Sequence, residues 1–229
     1  MIVLAPFSCG RHGASQAPHH ILAYRNGESK YHPLIAEAPI HHHDALATSK
    51  NIEKVLADQS NYLVLGGDHS ITDGIIRARA KDGKVHIVLF DAHTDDYHDE
   101  KIVSAKPLHS GNWLKRIIDD GLVSGVTMFD GNRGGVPKKY QKKIPTTGRV
   151  HVTVDIDVLA VSEIGNATDY PELGGYKIEE LINKIDSLNL SGADVTADYT
   201  EYDPTKDVTG VGAWCSSKIV DSLLSIITP

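Results

Sequence analysis

Val85-His86-Ile87-Val88-Leu89-Phe90 runs straight into Asp91-Ala92-His93-Thr94-Asp95. The first six residues, apolar except for one histidine, read as a strand buried on both faces. Asp91, His93 and Asp95 then fall at alternate positions, and extended backbone would turn all three side chains to one face. The pattern recurs twice. Val150-His151-Val152-Thr153-Val154 leads into Asp155-Ile156-Asp157, and Tyr62-Leu63-Val64-Leu65 leads across Gly66-Gly67 to Asp68-His69-Ser70. Three strand ends thus offer two histidines, His69 and His93, and four carboxylates, Asp91, Asp95, Asp155 and Asp157. An unpaired buried carboxylate is too costly to keep, so this set converges only around cations. Hard oxygen donors with imidazole suit Mn²⁺ or a similar divalent ion, and the expected cofactor is two Mn²⁺ per subunit. Such a pair is the equipment of a two-metal hydrolase.

Outward from these motifs, strand-like runs alternate with helical ones. Helices are expected over 45–59, 71–80, 108–120, 137–143, 177–188 and 211–227. Strands are expected over 1–5, 62–65, 85–90, 125–129, 150–154 and 192–198. The alternation predicts a three-layer α/β/α fold with a mostly parallel central sheet, over residues 1–229 as a single domain. In such sheets the site lies beyond the carboxyl ends of the strands, where all three motifs sit. Residues 8–20 and 96–106 read as loops.

The chain has 229 residues and a net charge of −7. There is no basic stripe, so nucleic acid is not an expected partner. Mild acidity suits a cationic substrate, although it equally serves solubility. No run approaches membrane-spanning length, so no membrane partner is expected. Met1 to Ala5 reads as a first strand, not a signal peptide. Cys9 and Cys215 stand far apart in no metal or redox spacing, which fits a reducing, cytoplasmic setting.

At these residues the chain resembles the ureohydrolase family, which includes arginase, agmatinase and formiminoglutamase. The resemblance runs from about Leu65 to Thr209. Gly-Gly-Asp-His-Ser and Asp-Ala-His-Thr-Asp stand as that family writes them, and Val154-Asp155-Ile156-Asp157-Val158 is similar to its third metal motif. The run 164–175 resembles its Gly/Pro-rich loop, and Asp198-Tyr199-Thr200-Glu201-Tyr202-Asp203-Pro204 the segment holding its guanidinium-binding glutamate. The resemblance implies that His69, Asp91, His93, Asp95, Asp155 and Asp157 hold the two Mn²⁺ ions, with Asp91 and Asp155 bridging. It implies that Glu201 pairs with a substrate guanidinium, that Asp95 relays a proton to the leaving amine, and that His109 contacts substrate and exchanges protons with solvent. It implies urea and a primary amine as products, and a possible homo-oligomer.

The departures from the family concern the far end of the substrate. No acid follows Arg133, where arginase keeps its amino-group partner, and Ser110-Gly111-Asn112 comes after His109 rather than before it. Ala160-Val161 replaces the Asp-Pro that normally closes the third motif. The chain is also shorter than typical members, which implies trimmed site loops. One small branch of the family converts arginine residues inside precursor peptides to ornithine, and these features resemble it. Peptidyl arginine is therefore the first expectation, with free arginine, agmatine and other guanidino acids open.

Plainer readings stand beside these. Asp68-His69-Ser70 could cap a helix from Ile71. His109 could be a structural histidine, and Glu201 a surface acid. His41-His42-His43-Asp44 reads as an exposed loop before a helix start, with some chance of adventitious metal binding. His19, His20 and His98 read the same way, although His98 lies near the second motif. Trp113 and Trp214 read as core. A single-zinc deacetylase shares the expected fold but needs fewer ligands, and a non-catalytic metal-binding protein would not need Glu201 and His109.

Overall fold

The computed structural model describes residues 1–9, 13–25, 31, 33–97, 107–130 and 136–227. Its seven strands are β1 (Ile2–Ala5), β2 (Ile35–Glu37), β3 (Leu63–Gly66), β4 (Val85–Asp91), β5 (Val123–Asp130), β6 (Thr147–Asp155) and β7 (Gly192–Thr200). They form one sheet in the order β2-β1-β3-β7-β6-β4-β5. Every neighbouring pair is parallel.

Helices cover both faces, because each strand alternates its apolar residues between two layers. Ile2, Leu4, Val88, Phe90, Val150 and Val152 pack in the layer of α1 (Ala17–Arg25), α6 (Ile178–Asp186) and α7 (Val211–Ile227). On the opposite face, Val3 and Val64 pack with α2 (Ala45–Leu56) and α3 (Thr72–Arg79). Ile87 and Leu89 pack there with α4 (Trp113–Asp119).

That second face carries two separate apolar clusters, and the gap between them has a cause. β6 and β7 lie between β3 and β4. The residues they turn to this face are polar, paired across the strands as His151 with Thr196, Thr153 with Asp198 and Asp155 with Thr200. All six are buried. This polar ladder climbs to the carboxyl edge of the sheet and ends at the acid motif.

The alternation holds, but several expectations need correcting. Residues 8–20 are not all loop. A 3-10 turn, Ala14–Gln16, runs into α1, whose first turn accommodates Pro18 because no intrahelical donor is needed there. Ala17 and Ile21 bury one side of α1, and buried Arg25 meets Asp221 at 2.6 Å. His19 and His20 are therefore helical, and exposed. β2 went unread because it is a three-residue edge strand with Ile35 54% exposed. The short α5 (Val161–Ile164) also went unread. The segment expected as a helix at 137–143 makes only a 3-10 turn, Lys138–Tyr140. His98 and Arg133 lie outside the described residues.

A candidate metal centre

The three motifs converge at the carboxyl edge, but through turns rather than strand alternation. β4 ends at Asp91, whose Oδ1 accepts from the His93 N–H at 2.6 Å and folds the chain there. Asp95 then takes a left-handed conformation, φ +47°. Asp155 closes β6 the same way, accepting from the Asp157 N–H at 2.9 Å. Asp68 accepts from the Ser70 N–H at 3.0 Å and caps the turn that carries His69. An aspartate accepting from the amide two residues on is a standard turn former, and here it sits at three strand ends. The single extended face expected for Asp91, His93 and Asp95 is thus replaced by a looped one.

Two groups result. His69, Asp91 and Asp155 form the first, and Asp91, His93 and Asp157 the second. Asp91 faces both, whereas Asp155 lies in the first. His69 Nδ1 stands 3.1 Å from Asp91, 3.0 Å from Asp95 Oδ2 and 3.5 Å from Asp155. His93 Nδ1 stands 2.8 Å from Asp157 and 3.5 Å from Asp91.

Polar contacts behind the ring decide how His69 faces this cluster. Its Nε2 lies 2.7 Å from Thr153 Oγ1, and the Thr153 hydroxyl donates to Asp198. Asp198 also meets His151 Nε2 at 3.2 Å and the Thr72 hydroxyl at 2.6 Å. A hydroxyl has one proton to give, so Thr153 accepts from His69, whose Nε2 carries the N–H. A neutral His69 then aims the bare Nδ1 lone pair at three carboxylates. Only a proton or a cation makes that arrangement favourable. Accordingly, among the described residues Nδ1 and Asp91 Oδ2 are buried without a hydrogen-bond partner. The donor set and these orphaned atoms fit a pair of divalent ions.

Charge crowding tells the same story. Burial, reinforced by Asp95 and Asp157, pushes the Asp91 carboxyl up to about 6. Burial followed by Asp157 and Asp91 drives Asp155 well above the usual range. Burial works against a charged His93, yet its contacts with Asp157 and Asp91 win and push it up to about 11. Burial likewise opposes a charged His69, and Asp155, Asp91 and Asp95 raise it well above the ordinary histidine value. Without countercharge, the cluster holds protons where it would hold metal.

Glu201 follows β7 with φ +68°. Asn61, Asp95 and Glu201 are the non-glycine residues of positive φ among the described residues, and two of the three belong to this site. Such conformations persist where their surroundings hold them. The Glu201 amide donates to the Gly67 carbonyl at 2.7 Å, and Glu201 Oε1 accepts from the His69 amide at 3.0 Å. The residue is buried against the first motif, not a surface acid. His109 caps the 3-10 turn before α4, its Nδ1 accepting from the Gly111 amide at 3.1 Å. That turn packs on the one bearing His69.

Sequence reasoning missed the supporting residues. Thr153, Asp198 and His151 were signalled by polar residues alternating with valines inside a buried strand. Trp113 is core as expected, yet its indole N–H donates to Asp95 Oδ2 at 2.7 Å. Trp214, also expected in the core, is 38% exposed. Tyr170 meets the His93 ring edge-on at 5.7 Å, and nothing in the sequence announced it.

Fold and site together define a three-layer α/β protein with a candidate carboxylate–imidazole metal centre at the edge of its sheet. The arginase family profile matches residues 1–143 and 125–225, and the chain belongs to that family. It is 31% identical over 204 residues to the mitochondrial arginase of Medicago truncatula, covering 76% of this chain and 58% of that protein. It is 26% identical over 230 residues to the guanidinopropionase of Pseudomonas aeruginosa, covering 84% and 70%. The chain thus spans under two thirds of the plant arginase. The proclavaminate amidino hydrolase of Streptomyces clavuligerus shares the fold, with a TM-score of 0.83 at 20% identity, over 99% of this chain and 90% of that one.

Proposed function

We propose that this protein hydrolyses a guanidinium group, releasing urea and a primary amine. The observation that carries the reading is the convergence of His69, Asp91, Asp95, Asp155, His93 and Asp157, with Glu201 turned in against the same motif. Mn²⁺ suits this donor set. A bound pair of divalent ions would lower the pKa of water enough to supply hydroxide near neutral pH. The protein's own residues do the rest. Glu201 holds the guanidinium cation by charge and orients its carbon. Asp95 takes a proton and returns it to the leaving amine nitrogen, and His109 exchanges protons with solvent. Two relatives, an arginase and a guanidinopropionase, have substrates that share a guanidinium and differ beyond it. They support the reacting end of the substrate, not its tail.

For the tail we propose an arginine residue within a peptide. Tyr170 is 53% exposed beside His93, and Leu173 on the same loop is 93% exposed. An exposed aromatic ring beside His93 suits a neighbouring residue of a peptide better than the charged end of a free amino acid. The test offers Mn²⁺-loaded protein free arginine, agmatine and an arginine-containing peptide in parallel, reading urea and product mass. Urea from the peptide alone is the expected result, and urea from a small molecule alone would reassign the substrate. Asp95→Ala is expected to abolish urea release while the protein stays folded. Surviving turnover would end the two-metal reading in favour of a simpler, single-ion hydrolase.

A further inference from the structure

We propose that Trp113 is a positioning residue for the metal centre, holding Asp95 and His69 in ligating register. The inference rests on the metal-centre reading above. Asp95 is stitched to the start of α4 by three hydrogen bonds on and beside it. The Leu114 amide donates to the Asp95 carbonyl at 3.1 Å, and the Tyr97 amide donates to the Gly111 carbonyl at 3.0 Å. The third is the Trp113 indole N–H on Asp95 Oδ2. An indole N–H only donates, so Asp95 Oδ2 is fixed as an acceptor there. The same oxygen stands 3.0 Å from His69 Nδ1, so the orientation that satisfies Trp113 also presents Oδ2 beside that bare ring nitrogen. The Trp113 ring lies against the His69 ring, centroids 4.9 Å apart and tilted 39°. Trp113 has no exposed surface, so one rigid side chain braces two candidate ligands from two different strand ends. Asp95 lies beyond the end of β4 in a left-handed conformation, where no strand pairing fixes it.

Trp113→Phe keeps an aromatic ring at this position and removes the donor. Partners of this kind typically change metal affinity by about 10–100-fold, and a loss of about tenfold or more in Mn²⁺ affinity is expected by titration calorimetry. Trp214, the other tryptophan, lies half-exposed on α7 across the sheet. A Trp214→Phe protein therefore reports Trp113 alone, and paramagnetic Mn²⁺ is expected to quench its fluorescence with the calorimetric midpoint. Equal Mn²⁺ affinity in Trp113→Phe and the parent overturns the proposal whatever the fluorescence does. If circular dichroism shows Trp113→Phe unfolded, the Trp214→Phe protein decides, quenching supporting the proposal and its absence at saturation overturning it. A parent protein that takes up no Mn²⁺ would instead remove the metal-centre reading itself, and the Trp113 role with it.

Discussion

At the scale of single residues, the centre depends on one hydroxyl. Thr153 accepts from His69 and donates to Asp198, and among the described residues it is the group bonded to His69 Nε2. Thr153→Val preserves shape but strands the His69 N–H and one Asp198 oxygen. Leaving buried polar groups unmet costs about 1–3 kcal/mol each, and loss of such a partner weakens metal binding by about 10–100-fold. Calorimetric Mn²⁺ titration is expected to show that loss for Thr153→Val and near-parental affinity for Thr153→Ser. A valine variant that binds as tightly as the parent would remove Thr153 from the argument. His109 illustrates a different point, since the plainer structural reading already accounts for its place in the turn before α4. It caps a turn whether or not it moves protons.

At the scale of elements, the ends of strands decide more than their interiors. Gly67 must be a glycine because a Cβ there would overlap the carbonyl of Phe7, on the loop after β1. Overpacking of this sort typically costs about 1–3 kcal/mol, and urea denaturation of Gly67→Ala should show a loss of that size. Asp44 begins α2 by accepting from the Ala47 amide at 3.0 Å, as its place before a helical pattern implied. Asp44→Ala is expected to cost about 0.5–2 kcal/mol in the same assay. The buried runs at 62–65, 85–90 and 150–154 were legible because apolar β-rich segments bounded by turn residues have few alternatives. The loops beyond them were not. Residue spacing says that Asp91, His93 and Asp95 belong together, but only the carboxylate-to-amide bonds at Asp91 and Asp155 say how. α1 hid behind a histidine- and glycine-rich composition, and β2 was too short for any period to show. The bond from Trp113 to Asp95 needs a helix start and a strand end brought together, which spacing along one element does not reveal.

At the scale of the whole molecule, the cluster is expected to make stability depend on cations. A ligand at about 100 times its Kd stabilises the native state by about 2.7 kcal/mol, or roughly 5–10 °C in a chain of this size. Thermal melts are expected to rise by that order with Mn²⁺ and to fall back with chelator. An unchanged melt would mean the acids do not take the ion. Alkali should act oppositely. Burial raises the Cys215 thiol to about 12 and lifts the hydroxyls of Tyr62, Tyr199 and Tyr202 above the ordinary tyrosine value. The unfolded chain therefore loses protons first, from about pH 8.5 for the thiol and about 10 for the tyrosines. Stability from these groups is complete below that range and falls as pH climbs through it. Urea midpoints that stayed flat between pH 8 and 11 would contradict this.

The strand order has a consequence in time. β2, β1 and β3 form one half of the sheet and β6, β4 and β5 the other, and β7, last along the chain, joins them. His69 stands on the first half, Asp91 and Asp155 on the second. Glu201, 132 residues after His69, arrives with the joining strand. Closing contacts across such separations is slow, because chain entropy is lost before they form. An ion held by His69 with Asp91 and Asp155 can therefore be captured only by a chain whose last strand is already in place, whereas Asp91, His93 and Asp157 come from the neighbouring strands β4 and β6 and need only that pairing. In a refolding experiment, uptake of a second Mn²⁺ should trail the appearance of helix.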